Sequence, residues 1–276
     1  MLTLSCIVVS LVLQVYWAEV SAEEQTPTPF TTDRPGIGDT AYLIPQGHVQ
    51  FEVGVNLQRD RTNVILERRV TPGRGSEVRR TTVSVPNTLI RIGVLEAMEL
   101  RLLGGGYVYQ KTSSGNMDNH DHSVSAPVIG TKLHLFEEDQ WIPQTAFLLN
   151  LTLPYGSERL HPDDVTPDFK VAGNYIISDR VSWEVNLGGA WKDGVNDNIT
   201  GFYTTALSVS INETVVSFAE FFGNMNGPST HAFDAGFTYL WLPTVQFDVW
   251  GGPALTDAAA DWFVAAGISY RLPQLW

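Results

Sequence analysis

Ten ionisable side chains sit at strand-like spacing, each on the polar side of a short run that alternates apolar and polar residues. They are Glu52, Arg91, Arg101, Lys132, Lys170, Glu184, Glu220, Asp234, Asp248 and Arg271. Carboxylates and cations on one enclosed surface can pair and fill the space between them. They can also line a path and select by charge what passes along it. Glu220 is the least regular of the set, because Val216, Phe218 and Phe222 fall on its side of the run. Other chemistry is thin. The sequence contains neither Gly-x-Ser-x-Gly nor His-Glu-x-x-His, and its one cysteine, Cys6, lies in an N-terminal apolar run. His120, Asp121 and His122 place two imidazoles at i and i+2 without a third ligand, which reads as a solvated loop; no metal or cofactor is expected.

The elements that must position these charges come from the alternation itself. Residues 49–58 put Val49, Phe51, Val53, Val55 and Leu57 on one side, with Gln50, Glu52, Gly54, Asn56 and Gln58 on the other. About ten residues is what a tilted strand needs to cross a bilayer. The unit recurs over 82–94, 98–109, 128–136, 144–153, 168–177, 181–191, 202–211, 214–223, 231–240, 245–252 and 262–272. That predicts about twelve strands. Five connections are mostly tight turns, with 137–143 the longest. The other six are longer and polar, among them 59–80, 111–125 and 154–167. The 59–80 connection carries Arg59, Arg61, Arg68, Arg69, Arg74, Arg79 and Arg80. It reads as a solvated loop or extended hairpin arms, and alternatively as a basic patch for anionic sugar or phosphate groups.

Composition sets the outer bounds. Of 276 residues, 17% are charged and 43% hydrophobic, and the formal charge of −13 argues against a nucleic-acid partner. Residues 1–22 read as a signal peptide, with an apolar run at 4–17 and a small-residue end at Val20, Ser21 and Ala22, although no Lys or Arg precedes the run. Residues 23–44 read as an N-terminal extension, periplasmic or inside the lumen, and 45–276 as the barrel. No stretch after residue 22 is apolar enough for a spanning helix. Alternation alone does not say which face meets lipid, and an apolar sandwich core has the same period. Export, strand length, loop asymmetry and Tyr107, Tyr109, Trp141, Trp191, Trp241, Trp250 and Trp262 near strand ends favour lipid outside. The expected fold class is all-β: a transmembrane, antiparallel, up-and-down β-barrel of outer-membrane type, its apolar face against lipid and its ionisable residues in the lumen.

Several stretches carry a resemblance. TTDRP at 31–35 followed by PQGHVQFEVG is similar to the opening of a bacterial family of outer-membrane transporters associated with the phenol-degradation meta-pathway. TLIRIGVLEAMELRL, LNLTLPYG, YIISDRVSWEVNLGG, VSFAEFFG, FDAGFTYLWLPTVQFDVWGG and GISYRL resemble its later strands in the same order. The residues matching its opening motif are Thr32, Asp33, Arg34, Pro35, Gly47 and His48, whereas GIGDTAYLI departs from it. The resemblance implies an outer-membrane location and passive uptake of small hydrophobic or aromatic solutes. An aromatic C-terminus, Trp276, after an amphipathic last strand resembles the signal read by the outer-membrane assembly machinery, made irregular here by Pro273 and Gln274. A structural or adhesion barrel with a closed lumen and working outer loops is the alternative. An outer-membrane hydrolase, with Ser182 or Ser217 brought to His134 or His231, is more remote.

Overall fold

The computed structural model describes residues 30–64, 76–115, 117–192, 194, 195, 198–226 and 230–276. The chain divides into Met1–Phe30 and Thr31–Trp276, and the architecture is that of the second unit. The expected signal peptide lies outside the described residues.

The strands are β1 Val49–Val64, β2 Ser76–Leu95, β3 Met98–Gly104, β4 Tyr107–Ser114, β5 Met117–Val124, β6 Val128–Phe136, β7 Gln144–Thr152, β8 Thr166–Ser178, β9 Val181–Trp191, β10 Ile199–Ser210, β11 Val215–Asn224, β12 His231–Leu242, β13 Val245–Pro253 and β14 Trp262–Arg271. All pairings are antiparallel. The sheet closes on itself through β1 and β14, with Gln50 opposite Arg271 and Arg59 opposite Trp262; among the described strands only β5, which pairs with β4 alone, keeps an open edge.

The wall is twelve strands wide, as the alternation predicts, because two of its strands are interrupted. β4 continues β3 along β2 in unchanged register, with Arg91 opposite Arg101 and Val85 opposite Tyr107. β5 leads into β6 in the same way. The first interruption falls at Gly105 and Gly106 beside Pro86, which has no N–H for the ladder. Against β1, the β2 register shifts between Gly54 and Asn56, so one extra β2 residue turns its faces over beyond that point.

The run 111–125, expected as a loop, instead forms the hairpin arms of β4 and β5. Beyond the hydrocarbon band neither face of a hairpin has to be apolar, so nothing requires the alternation that marks strands lower down. The basic connection 59–80 likewise has strand arms, through Val64 and from Ser76, while 65–75 lie outside the described residues.

Burial settles the faces. In β12, Ala232, Asp234 and Gly236 point inward and are buried, while Phe233, Phe237, Tyr239 and Trp241 point outward, with Phe237 52% and Trp241 53% exposed. An interior of charges under a skin of exposed aromatic and aliphatic side chains is stable only when the surrounding solvent is lipid. The short turns share one rim with the C-terminal tail, where Leu275 N donates to Gly47 O at 2.8 Å. Short turns at one rim and long loops at the other are the asymmetry usual in outer-membrane barrels.

Candidate functional site

The lumen is built from two parts: the inward side chains of the wall and a hoop of chain, residues 31–44, that runs around inside it. The hoop forms no ladder, so its backbone amides need side-chain acceptors; Thr40 N and Tyr42 N find theirs within the hoop, at Asp33 and Thr40, and the wall supplies others one strand at a time. The amides of Asp33 and Arg34 donate to Glu52 Oε2 on β1 at 3.0 and 3.1 Å. Those of Ile37 and Gly38 donate to the two oxygens of Glu220 on β11, each at 2.8 Å. Asp39 N donates to Asn186 on β9 at 2.9 Å, Ala41 N to Asn174 on β8 at 2.6 Å, and Ile44 N to Glu99 on β3 at 3.0 Å. Ala41 also packs into an apolar patch of Ala146, Leu148 and Ala172. At its exit the hoop is pinned by Gly47 N to Gly93 O at 2.8 Å.

One side of the lumen is a buried ionic cluster. Asp33 meets Lys132 at 2.7 Å, Arg91 at 3.5 Å and, by a short contact, Arg101. Glu99 binds Arg91 at 2.8 Å, and Glu52 lies 3.3 Å from the same guanidinium. Asp39 takes Arg101 at 2.7 Å and also Lys170. Glu52, Arg91, Glu99 and Lys132 are wholly shielded from solvent, so this side is filled. Asp33 stands on the hoop, outside the spanning strands. Burial alone would raise its carboxyl, but Arg91, Lys132 and Arg101 outweigh that and hold it well below the usual carboxylate range.

The opposite side has a different character. Glu184, Ala206, Glu220 and Asp234 lie directly across from one another on β9 to β12, an acidic row facing the hoop. Gly38 passes against it so closely that a Cβ there would come within 2.5 Å of Glu184 Oε1 and 3.1 Å of Glu220 Oε1. Further round, Arg34 pairs with Asp248 at 2.9 Å, and Arg271 donates to Gln50 at 2.9 Å. Towards the long-loop rim the acidic row gives way to apolar side chains. Phe222 and Ala232 follow Glu220 and Asp234 on that side, and a cavity of about 310 Å³ opens there between Ile37 of the hoop and Phe202, Phe222 and Ala232 of the wall; Phe218, on the short-turn side of Glu220, packs with Trp250, Ala265 and Phe263.

The structure therefore brings all ten ionisable residues singled out in the sequence to the lumen or its hoop. Of the opening motif, Asp33 and Arg34 enter the ionic cluster and its neighbour. Thr32 accepts from Gln246 Nε2 at 2.9 Å, and Pro35 continues the hoop. Gly47 and His48 instead shape the rim, Gly47 with a positive φ of 81°. Sequence reasoning missed Glu99, Asp39, Asn174 and Asn186 as site residues. Glu99 had a signal, since it shares the inward side of Arg101 two residues away; Asp39 lies in a stretch with no period to read. His120 and His122 bond Tyr109 and Tyr107 on the outer side of the β4–β5 hairpin, away from the lumen.

A closed twelve-strand wall, lipid-facing outside and charged within, defines a β-barrel of the outer-membrane channel class. The family model described as "Putative MetA-pathway of phenol degradation" matches residues 32–272, and the chain belongs to that family. No curated protein matches the sequence. Among solved structures, an outer membrane channel from Pseudomonas putida F1 is similar at 10% identity and TM-score 0.61, over 86% of this chain and 99% of that one. A KdgM porin bound to oligogalacturonate is similar at 9% identity and TM-score 0.48, covering 81% and 98%. The toluene transporter TbuX of Ralstonia pickettii is similar at 9% identity and TM-score 0.45, covering 83% and 90%.

Proposed function

We propose that the protein is an outer-membrane channel through which small, apolar or aromatic solutes enter passively, exported by way of its N-terminal 22 residues and assembled through its last strand. The observation that carries this reading is the cavity of about 310 Å³ at the long-loop end, walled by Ile37, Phe202, Phe222 and Ala232. An engineered apolar cavity of roughly 150 Å³ holds benzene, so a substituted ring fits here. A solute seated there lies directly above the acidic row and the hoop. The path then descends along Glu184, Glu220 and Asp234, the side that carries no cation; Glu220 and Asp234 are as shielded as the ionic cluster, so passage there requires the hoop to move off Glu220, while Arg91, Arg101 and Lys132 hold its other side in place. Glu52, Lys170, Asp248 and Arg271 complete the polar lining.

Planar bilayers and proteoliposomes test this. Purified protein is expected to give discrete conductance steps and to speed entry of a phenol-sized solute, and Phe222→Ala is expected to slow that entry several-fold while barrel mobility on unheated gels stays normal. Protein that folds but neither conducts nor speeds entry would sink the reading. That outcome is what the second reading requires: a barrel sealed by its ion pairs, with function in the outer loops. The complete shielding of Glu52, Arg91, Glu99 and Lys132 is the observation favouring it.

A further inference from the structure

The lumen leaves one charged surface unused: the outward side of β1, β2, β4 and β5 near the long-loop rim. Register stacks its side chains in rows. Leu57, Val83, Tyr109 and His122 stand side by side at the top of the lipid-facing band. Two residues higher on β1, the next row runs Trp262, Arg59, Thr81, Lys111 and His120. Above it Arg61 and Arg79 face each other directly.

Each row has a physical reading. Tyr109 carries its hydroxyl to His120 Nδ1 at 2.6 Å, and Tyr107 bonds His122, giving rings with an apolar body and a polar tip, which settle at a membrane interface. From Val49 to Leu57 is eight residues, about 27 Å along the strand and roughly 20 Å along a tilted barrel's axis, close to the height of an outer-membrane apolar band. The cations therefore stand at headgroup height. Arg59 and Lys111 are two strands apart, about 10 Å, a span that two long cationic side chains close on one anion. The buried Nε of Arg59 has no hydrogen-bond partner among the described residues. Arg61 and Arg79, directly opposite each other, add two further cations above this row. The existing partners, Asp118 on Lys111 at 2.7 Å and Asp261 on Arg61 at 2.9 Å, are part-exposed pairs of the kind that contribute little and exchange readily.

We propose that this ledge binds the phosphate groups of lipid headgroups in the outer leaflet, with Arg59 and Lys111 as the principal contacts and Arg61 and Arg79 above them. Phosphate suits the site because it accepts bidentate guanidinium bonds and carries more charge than the carboxylates it displaces. The basic ledge is local; the whole chain is at −13, a charge that would otherwise repel anionic lipid. The inference is independent of what passes through the lumen.

The test uses full-length protein purified in mild detergent and native mass spectrometry, with bis-phosphorylated lipid A, its dephosphorylated form and inorganic phosphate as probes. Wild type is expected to retain phosphorylated lipid A and to lose at least tenfold of that retention in 0.5 M salt and in the Arg59→Ser/Lys111→Ser variant. The inward cation variant Arg80→Ser should bind as wild type does. Heat-modifiable mobility checks that each variant folds. Equal retention of the dephosphorylated form, which needs no variant, would overturn the proposal in favour of acyl-chain contact. Complete displacement by millimolar inorganic phosphate would overturn it in favour of a soluble anion. Unchanged binding in the double variant would do so as well.

Discussion

Asp33 is the residue on which the lumen's order turns, because one carboxylate on the hoop faces Arg91, Arg101 and Lys132. Asp33→Asn keeps the shape and leaves three buried cations short of a counter-charge. Breaking a buried pair this way typically costs about 3–5 kcal/mol. The variant is expected to convert to its unfolded gel mobility at a clearly lower temperature than wild type, and the further change Lys132→Met should restore part of the difference. The pH dependence follows from the same carboxyl. Its folded pKa lies far below the unfolded value of about 3.9, so its stabilisation is fully present above about pH 4 and is lost only as pH falls further towards the folded pKa. The conversion temperature of wild type should therefore exceed that of Asp33→Asn by a constant margin from pH 8 down to about 5, and the margin should shrink in stronger acid. A margin that vanished near neutrality would contradict the assignment. At this scale the sequence was legible for wall residues, whose side follows from parity, and illegible for Asp33 and Asp39, whose partners are set by a hoop with no period.

Among the elements, the hoop is the one that alternation could not reveal. A strand repeats because its neighbours repeat, whereas residues 31–44 bond successively to Glu52, Glu220, Asn186, Asn174 and Glu99, with unequal steps between them. The hairpin of β4 and β5 escaped for the converse reason, since above the hydrocarbon neither of its sides needs an apolar face to show. The hoop also closes on the acidic row, where Gly38 passes so near that a Cβ would meet Glu184 and Glu220, which makes it the constriction on the proposed path. Removing residues 31–44 while keeping the export segment is expected to raise single-channel conductance several-fold and to weaken discrimination by charge, read from the reversal potential in a salt gradient. If the truncated protein folds, by its gel mobility, and its conductance is unchanged, the hoop is not the constriction.

For the molecule as a whole, the decisive property is closure, since twelve strands make a barrel only if the first and last meet in register. The β1–β14 ladder places Val53 opposite Ile268, both on the lipid side, with Gly267 on the opposite face. Directly opposed antiparallel residues have Cα atoms about 4.5–5.5 Å apart, within reach of a disulfide. In a Cys6→Ser background, Val53→Cys/Ile268→Cys is expected to cross-link when intact outer membranes are oxidised, because the two ends of the chain already touch there. Boiled and unreduced, the product is a closed loop and should run apart from the linear chain. Val53→Cys/Gly267→Cys differs by one residue and should not cross-link, because a shift of one sends the second sulfur into the lumen. Reversal of that pattern would move the register by one and turn β14, with Ser269 and Arg271, out into the lipid. The ordinary cost of placing such side chains in hydrocarbon argues that membranes would then reject the barrel, so the cross-link reads the lumen's composition and the wall's closure together.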